Sequence, residues 1–256
     1  MILKKTFGQL VSGEYCSTDS AFDRLQREFG RLYRTQTWNW FFQRVESLEG
    51  KLHEAGGFDP KLFDTIEKVS SFFGRKEDVD RYFETVEILY DIEDCAAAFF
   101  VTLQTLLNAI KVAVKRVYTE GQSDLGQQAP IEPPGLFSDE FNNVWQISNY
   151  VKHNAEWGVQ LNGRQKPSFE VLKALGTASD DLEARFATPW VVAASACSLA
   201  HCDTPSRALR AVISRCQDSR PKLEETIQRD FAPFEEEIKN ARRCGAAVNA
   251  STKTDP

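Results

Sequence analysis

Three side chains at positions 149, 153 and 156 carry the strongest chemical signal in the sequence. Asn149, His153 and Glu156 follow i, i+4, i+7, a spacing that puts them on one face of a helix, with Trp157 beside them. Histidine changes charge near neutral pH. An amide one turn before it can orient a substrate or the ring, and a carboxylate nearly one turn after it can hold the imidazole tautomer. That set suits general acid/base catalysis of transfer at phosphorus. The same residues also make an ordinary hydrogen-bonded strip on a surface helix, so both readings stand at this level. Lys152 adds a cation one turn from Ser148.

A second pattern lies near the start. Arg24, Arg27, Arg31 and Arg34 are spaced three, four and three apart, which predicts a guanidinium row within about 80° of helix arc. Phe22, Leu25, Phe29, Leu32 and Tyr33 take the opposite side, and Trp38, Trp40, Phe41 and Phe42 follow at once. Arginines beside aromatics are the means to grip phosphates and stack on unpaired bases, so Arg24, Arg27, Arg31, Arg34 and Lys152 are candidate RNA contacts. Glu84, Glu87, Asp91 and Asp94 repeat the same spacing. Two such rows also suit pairing within the chain or across a dimer, a contribution of about 0–1 kcal/mol per exposed pair. The acidic row has no histidine or second carboxylate helix to complete a metal site. Cys197 and His201 are one turn apart with Cys202 adjacent, which permits two ligands on one helix, but no second ligand pair is visible, and the cysteines and alanines here read as small core residues. We expect no metal and no cofactor.

Helical periodicity dominates the elements that must position these groups. The pattern predicts helices near 20–35, 38–54, 60–73, 77–118, 138–157, 168–175, 180–201, 205–217 and 221–243. Start signals include Asp59-Pro60, Ser138-Asp139-Glu140, Pro205 and Pro221. Loops are expected over 119–135, which holds Gly121, Gly126 and three prolines, and over 158–167. The final amphipathic helix presents Leu223, Ile227, Phe231, Phe234 and Ile238 at helical spacing. The expected organisation is a bundle over 1–157, a helical extension over 158–244 packed on it, and a disordered tail over 245–256. The fold class is all-α.

Composition narrows the function classes. With 42% hydrophobic and 27% charged residues in 256, the chain has material for a sizeable core, which excludes global disorder. Thirty-one basic against 37 acidic residues give a net charge of −6, so a polyanion site must be a local patch. Six cysteines without a CxxC pair read as reduced thiols of a cytoplasmic protein. No apolar segment follows Lys4-Lys5 to make a secretory signal. The stretch 95–117 is interrupted by Gln104, Asn108, Lys111 and Lys115, so it is expected to be a buried core helix rather than a bilayer span. No Gly-rich phosphate loop, His-Glu-x-x-His helix or Gly-x-Ser-x-Gly elbow is present.

The run Ser148-Asn149-Tyr150-Val151-Lys152-His153 resembles the motif helix of HEPN-type proteins, a superfamily of helical bundles found in toxin–antitoxin, phage-defence and RNA-processing systems. Their pattern is Arg, a polar residue, a few more residues and His. Asn149 matches the polar position and His153 the histidine, while Ser148 stands where the arginine belongs. The resemblance covers about 77–157 and implies a long apolar helix, a loop and then the motif helix. In catalytic members the Arg and His act together on an RNA phosphodiester across a dimer interface. Loss of the Arg removes the cation that stabilises the oxyanion. Two functions follow as expectations. One is a prokaryotic RNA-targeting toxin or defence effector, a metal-independent endoribonuclease with His153 as acid/base and Asn149 and Glu156 orienting. The other is a non-catalytic interaction or regulatory module that binds a protein encoded nearby or a second copy of itself.

Overall fold

The computed structural model describes residues 21–55, 76–125, 139–153, 161–180, 186 and 190–234. Seven α-helices make up these residues: α1 Ala21–Leu32, α2 Thr35–Glu54, α3 Lys76–Leu125, α4 Asp139–His153, α5 Lys166–Ala174, α6 Val191–Ala200 and α7 Pro205–Phe231, followed by a 3-10 turn, Ala232–Phe234. No strand occurs among them, and the one extended pairing is an isolated bridge between Ala178 and Phe186. The fold is all-α. The expected helix 60–73, residues 154–157 of the motif helix and the expected tail lie outside the described residues.

The chain forms two compact units that do not follow chain order. Unit 1 is Met1–Tyr33, Thr105–Ser138 and Cys216–Pro256; unit 2 is Arg34–Gln104 and Asp139–Arg215. Helices α3 and α7 supply residues to both.

In unit 1, α1 buries Leu25, Phe29 and Leu32, the C-terminal part of α3 buries Val114, Val117 and Tyr118, and α7 buries Ile227 and Phe231. Two elements here differ from the sequence expectation. The α3 helix runs on through Gly121 to Leu125 instead of ending near 118. A Cβ at Gly121 would stand 2.3 Å from Cε1 of Phe231, so glycine at 121 makes room for an aromatic ring. It does not mark a turn.

Helix α7 likewise continues through Pro221. Proline has no N–H for the carbonyl four residues back, that of Gln217. That carbonyl accepts instead from the Tyr33 hydroxyl at 2.9 Å. In return the Gln217 Nε2 donates to the Leu32 carbonyl at the end of α1, at 2.8 Å. Arg220 lies over the rings of Phe29 and Tyr33.

In unit 2, Trp38, Phe41 and Phe42 of α2 pack edge-on or tilted around Phe99 of α3. Helix α4 packs on α5 and α6 and buries Phe141, Val144, Ile147, Ser148 and Tyr150. By length and composition alone Phe83–Gly121 would suffice to cross a membrane; its apolar residues Phe99, Phe100, Leu103, Leu107 and Val114 are buried in the protein.

Local signals close the short helices. Asn162 Oδ1 accepts from the Gln165 N–H while Gln165 Oε1 accepts from the Asn162 N–H, a reciprocal box that turns the chain into α5. Gly176, at φ +75, ends α5 with the Thr177 N–H on the Leu172 carbonyl and its own on that of Lys173. Of the expected helix 180–201 the described residues form Val191–Ala200, Phe186 pairs with Ala178 in an isolated bridge, and residues 181–185 and 187–189 lie outside the described residues. Helix α6 is held at both ends, by the Glu93 carboxylate on the Val192 and Ala193 N–H groups, each at 2.8 Å, and by Arg215 on the Leu199 and Ala200 carbonyls. Negative charge at the N-terminus and positive charge at the C-terminus both match the helix dipole.

Candidate functional site

Helix α4 brings the motif residues against α3 within unit 2. Ser148 is fully buried, its hydroxyl 2.8 Å from the carbonyl oxygens of both Phe100 and Val144. The position that resembles the motif arginine is therefore inside the helix pair. Gln104, a buried polar residue of α3, ties the next turn down. Its Nε2 donates to Asn149 Oδ1 at 2.9 Å and to the Trp145 carbonyl at 3.3 Å. Its Oε1 accepts from Lys152 Nζ. Asn149 and Lys152 thus meet at one amide and satisfy a buried polar group that would otherwise cost about 1–3 kcal/mol.

His153 is the last residue of α4 and is exposed, where a basic side chain suits the helix C-terminus. Glu156 lies outside the described residues. The structure brings together Asn149 and Lys152, with Gln104 between them, a partner that sequence reasoning missed.

The arginine row is shorter than expected. Helix α1 ends at Leu32, and Arg34 takes an extended conformation (φ −72°, ψ 90°) as the residue before α2. Arg24, Arg27 and Arg31 stay on α1 in unit 1, whereas Arg34 and α4 belong to unit 2. Arg31 pairs with Glu28 on its own helix at 2.8 Å. The aromatics expected beside the row are mostly core: Trp38, Phe41 and Phe42 are buried, and Trp40 alone is 59% exposed. The acidic row is intact, with Glu84, Glu87, Asp91 and Asp94 exposed on one helix. Asp91 of this row pairs with Arg44 of α2 at 2.9 Å. Phe83 and Tyr90, 54% and 52% exposed, flank the acids. Together the six residues 83, 84, 87, 90, 91 and 94 span about 120° of α3.

A further titratable group went unread in the sequence. Burial pushes the Glu93 carboxyl up to about 7, against the lowering effect of its two N–H bonds and with help from the Asp94 charge. Tyr150 of α4 is pushed up to about 12 by burial and then by the Glu93 charge. The available signal was the register of Glu93 with Ala96 and Phe100 at i, i+3, i+7, which places a carboxylate on the apolar face of α3. Cys197 is likewise raised by burial, to about 12. His201 is not a continuation of the helix but its left-handed terminator, at φ 54. Among the described residues no three His, Cys, Asp or Glu side chains group as metal ligands. No family model, no curated protein and no solved structure matches the chain.

Proposed function

We propose that the chain is a non-catalytic helical interaction module that binds a basic protein segment through the aromatic and acidic face of α3. The burial of Ser148 on the Phe100 carbonyl carries the first half of this reading. The place of the motif arginine is used for helix packing, and the polar residue beside it is bound to Gln104. A catalytic HEPN-like site needs both groups directed at a phosphodiester. The second half rests on charge complementarity. Four exposed carboxylates at helical spacing beside Phe83 and Tyr90 suit a helix that offers lysines or arginines around an apolar stripe. The resemblance to HEPN-type bundles then concerns the scaffold rather than the chemistry.

The test is co-expression with the protein encoded beside its gene, with total RNA profiled in parallel for the wild type and His153→Ala. We expect a stable complex that the double variant Glu87→Lys/Asp94→Lys abolishes, and unchanged RNA in both strains. RNA cleavage by the wild type that His153→Ala removes establishes the effector reading instead. A complex indifferent to the double charge reversal moves the binding surface elsewhere and refutes the α3 face.

A further inference from the structure

Helix α6 ends in a complete left-handed cap. The Cys202 N–H reaches the Cys197 carbonyl at 3.0 Å and the His201 N–H that of Ser198 at 3.3 Å, around His201 at φ 54. In a cap of this pattern the first and last of its six residues meet through their side chains, ordinarily as two apolar groups. Here both are cysteines, half-buried and with free thiols. Standard bond lengths across the 3.0 Å hydrogen bond keep the two Cα atoms within about 7 Å at most, and the bond angles bring them closer. A disulfide spans about 4.4–6.8 Å between Cα atoms. The backbone on both sides is pinned within unit 2. Arg215 donates to the Leu199 and Ala200 carbonyls, and Glu49 accepts the N–H and hydroxyl of Ser206. The Cys202 S–H makes only a weak bond, to the Ala200 carbonyl at 3.6 Å. Burial first, then the Glu49, Cys202 and Asp203 charges, push the Cys197 thiol up to about 12. Cys197 therefore keeps its proton at neutral pH and is slow to start an exchange.

We propose that Cys197 and Cys202 are a redox-active dithiol, which a low-molecular-weight disulfide oxidises to an intramolecular disulfide across the end of α6. Cys202 gives its proton to water, and its thiolate attacks one sulfur of the small disulfide. A mixed disulfide forms on Cys202 while the first small thiolate leaves and takes up a proton. Cys197 then loses its proton and attacks the Cys202 sulfur, which breaks the bond to the small molecule and releases the second small thiolate. Two protein thiols are oxidised by two electrons in total, and one small disulfide is reduced to two thiols. The cap sets the second sulfur beside the first, so the closing step is intramolecular and outruns encounter with another thiol. The backbone is already in place, and side-chain rotation brings the sulfurs together. Closure then fixes His201 in its left-handed conformation.

The test adds oxidised glutathione to the reduced, folded full chain and then alkylates the remaining thiols with iodoacetamide. Trypsin releases residues 186–207 as one peptide, because Arg185 and Arg207 bound it and no other Lys or Arg lies within. We expect its mass to be lower by two hydrogens with neither cysteine alkylated, and both to become alkylatable after treatment with dithiothreitol. Cys197→Ser removes the resolving thiol, so a glutathione adduct accumulates on Cys202. In Cys202→Ser, Cys197 takes up glutathione more slowly than Cys202 does in the other variant. Circular dichroism checks that each variant is folded, and Cys197→Ala replaces Cys197→Ser should the serine variant fail. The wild-type mass decides the main point without any variant. Two alkylated cysteines in the wild-type peptide overturn the proposal. So does a glutathione adduct that persists on wild-type Cys202, or a disulfide joining either residue to a cysteine of another peptide.

Discussion

Ser148 and His201 each stand where another residue type would be ordinary, and each has a measurable consequence. At 148 the side chain is enclosed and its hydroxyl meets two backbone carbonyls. An arginine placed there would push a guanidinium into the buried α3–α4 contact. Ser148→Arg is expected to destabilise the protein by about 3 kcal/mol or more, measured by urea unfolding, and to produce no ribonuclease activity. At 201 an exposed histidine adopts the left-handed conformation that glycine takes without strain. The Cys202 N–H still reaches the Cys197 carbonyl at 3.0 Å, so the cap is formed at the expense of backbone strain. His201→Gly is expected to raise stability by about 1 kcal/mol in the same measurement. A destabilised His201→Gly would show that the imidazole contributes more than the strain it causes. Residue type predicted neither role. Serine on a helix is read as a polar position, and only the distance to Phe100 shows that its hydroxyl points inward.

Helix α3 shows how one position can mislead about a whole element. Gly121 beside Gly126 and a proline cluster reads as the start of a loop, yet the helix passes through it because Phe231 of α7 needs the space. Gly121→Ala adds helix propensity worth about 1 kcal/mol but also overpacks the ring, at about 1–3 kcal/mol. The net effect is a loss of stability in the wild type and a gain in a Phe231→Ala background. This change of sign, read by thermal unfolding of the four proteins of a double-mutant cycle, tests the contact. Pro221 is the same lesson in reverse, since its missing N–H is made good by a tyrosine 188 positions earlier in the chain. Where the signals are local, the elements follow the expectation closely. The amphipathic stripe of α1, the N-terminal proline of α7 and the polar start of α4 all place helices within a few residues. Where a distant residue decides, as at Gly121 and Pro221, helical spacing carries no trace of it.

At the scale of the whole molecule the net charge of −6 conceals groups whose burial dominates the response to pH. Three of the oxygen acids move in the same direction, as the Cys197 thiol does. Glu93 is raised from its ordinary 4.5 to about 7, and Tyr150 from 10 to about 12. Tyr118, buried and donating to Asp230 at 2.7 Å, is raised well above 10. In each case the native state holds its proton more tightly than the unfolded chain. The stability these groups contribute is present below the unfolded value and is lost as pH rises through the native one. Their combined effect is a decline between pH 4.5 and 7 and a second from pH 10 to beyond 12. Urea midpoints across the pH range should show both steps. Glu93→Gln should remove the first, and Tyr150→Phe should reduce the second. A profile that rises steadily from pH 4.5 to 7 in the wild type, with the same slope in Glu93→Gln, contradicts the assignment of the first step.

Glutamates from elsewhere in the chain satisfy the opening turns of three helices. Glu120 accepts the Ala21 N–H of α1 across 99 positions, Glu93 serves α6 across 99 and 100, and Glu49 takes both the N–H and the hydroxyl of Ser206 in α7 across 157. Helical proteins usually fold fast because their contacts are close in sequence. Here those three helix starts are completed only when a remote segment has already arrived. Each such meeting bears the entropy of closing a long loop before its hydrogen bonds form, so the first turns of α1, α6 and α7 are late events in folding, and removing any of the three carboxylates should speed unfolding more than it slows refolding.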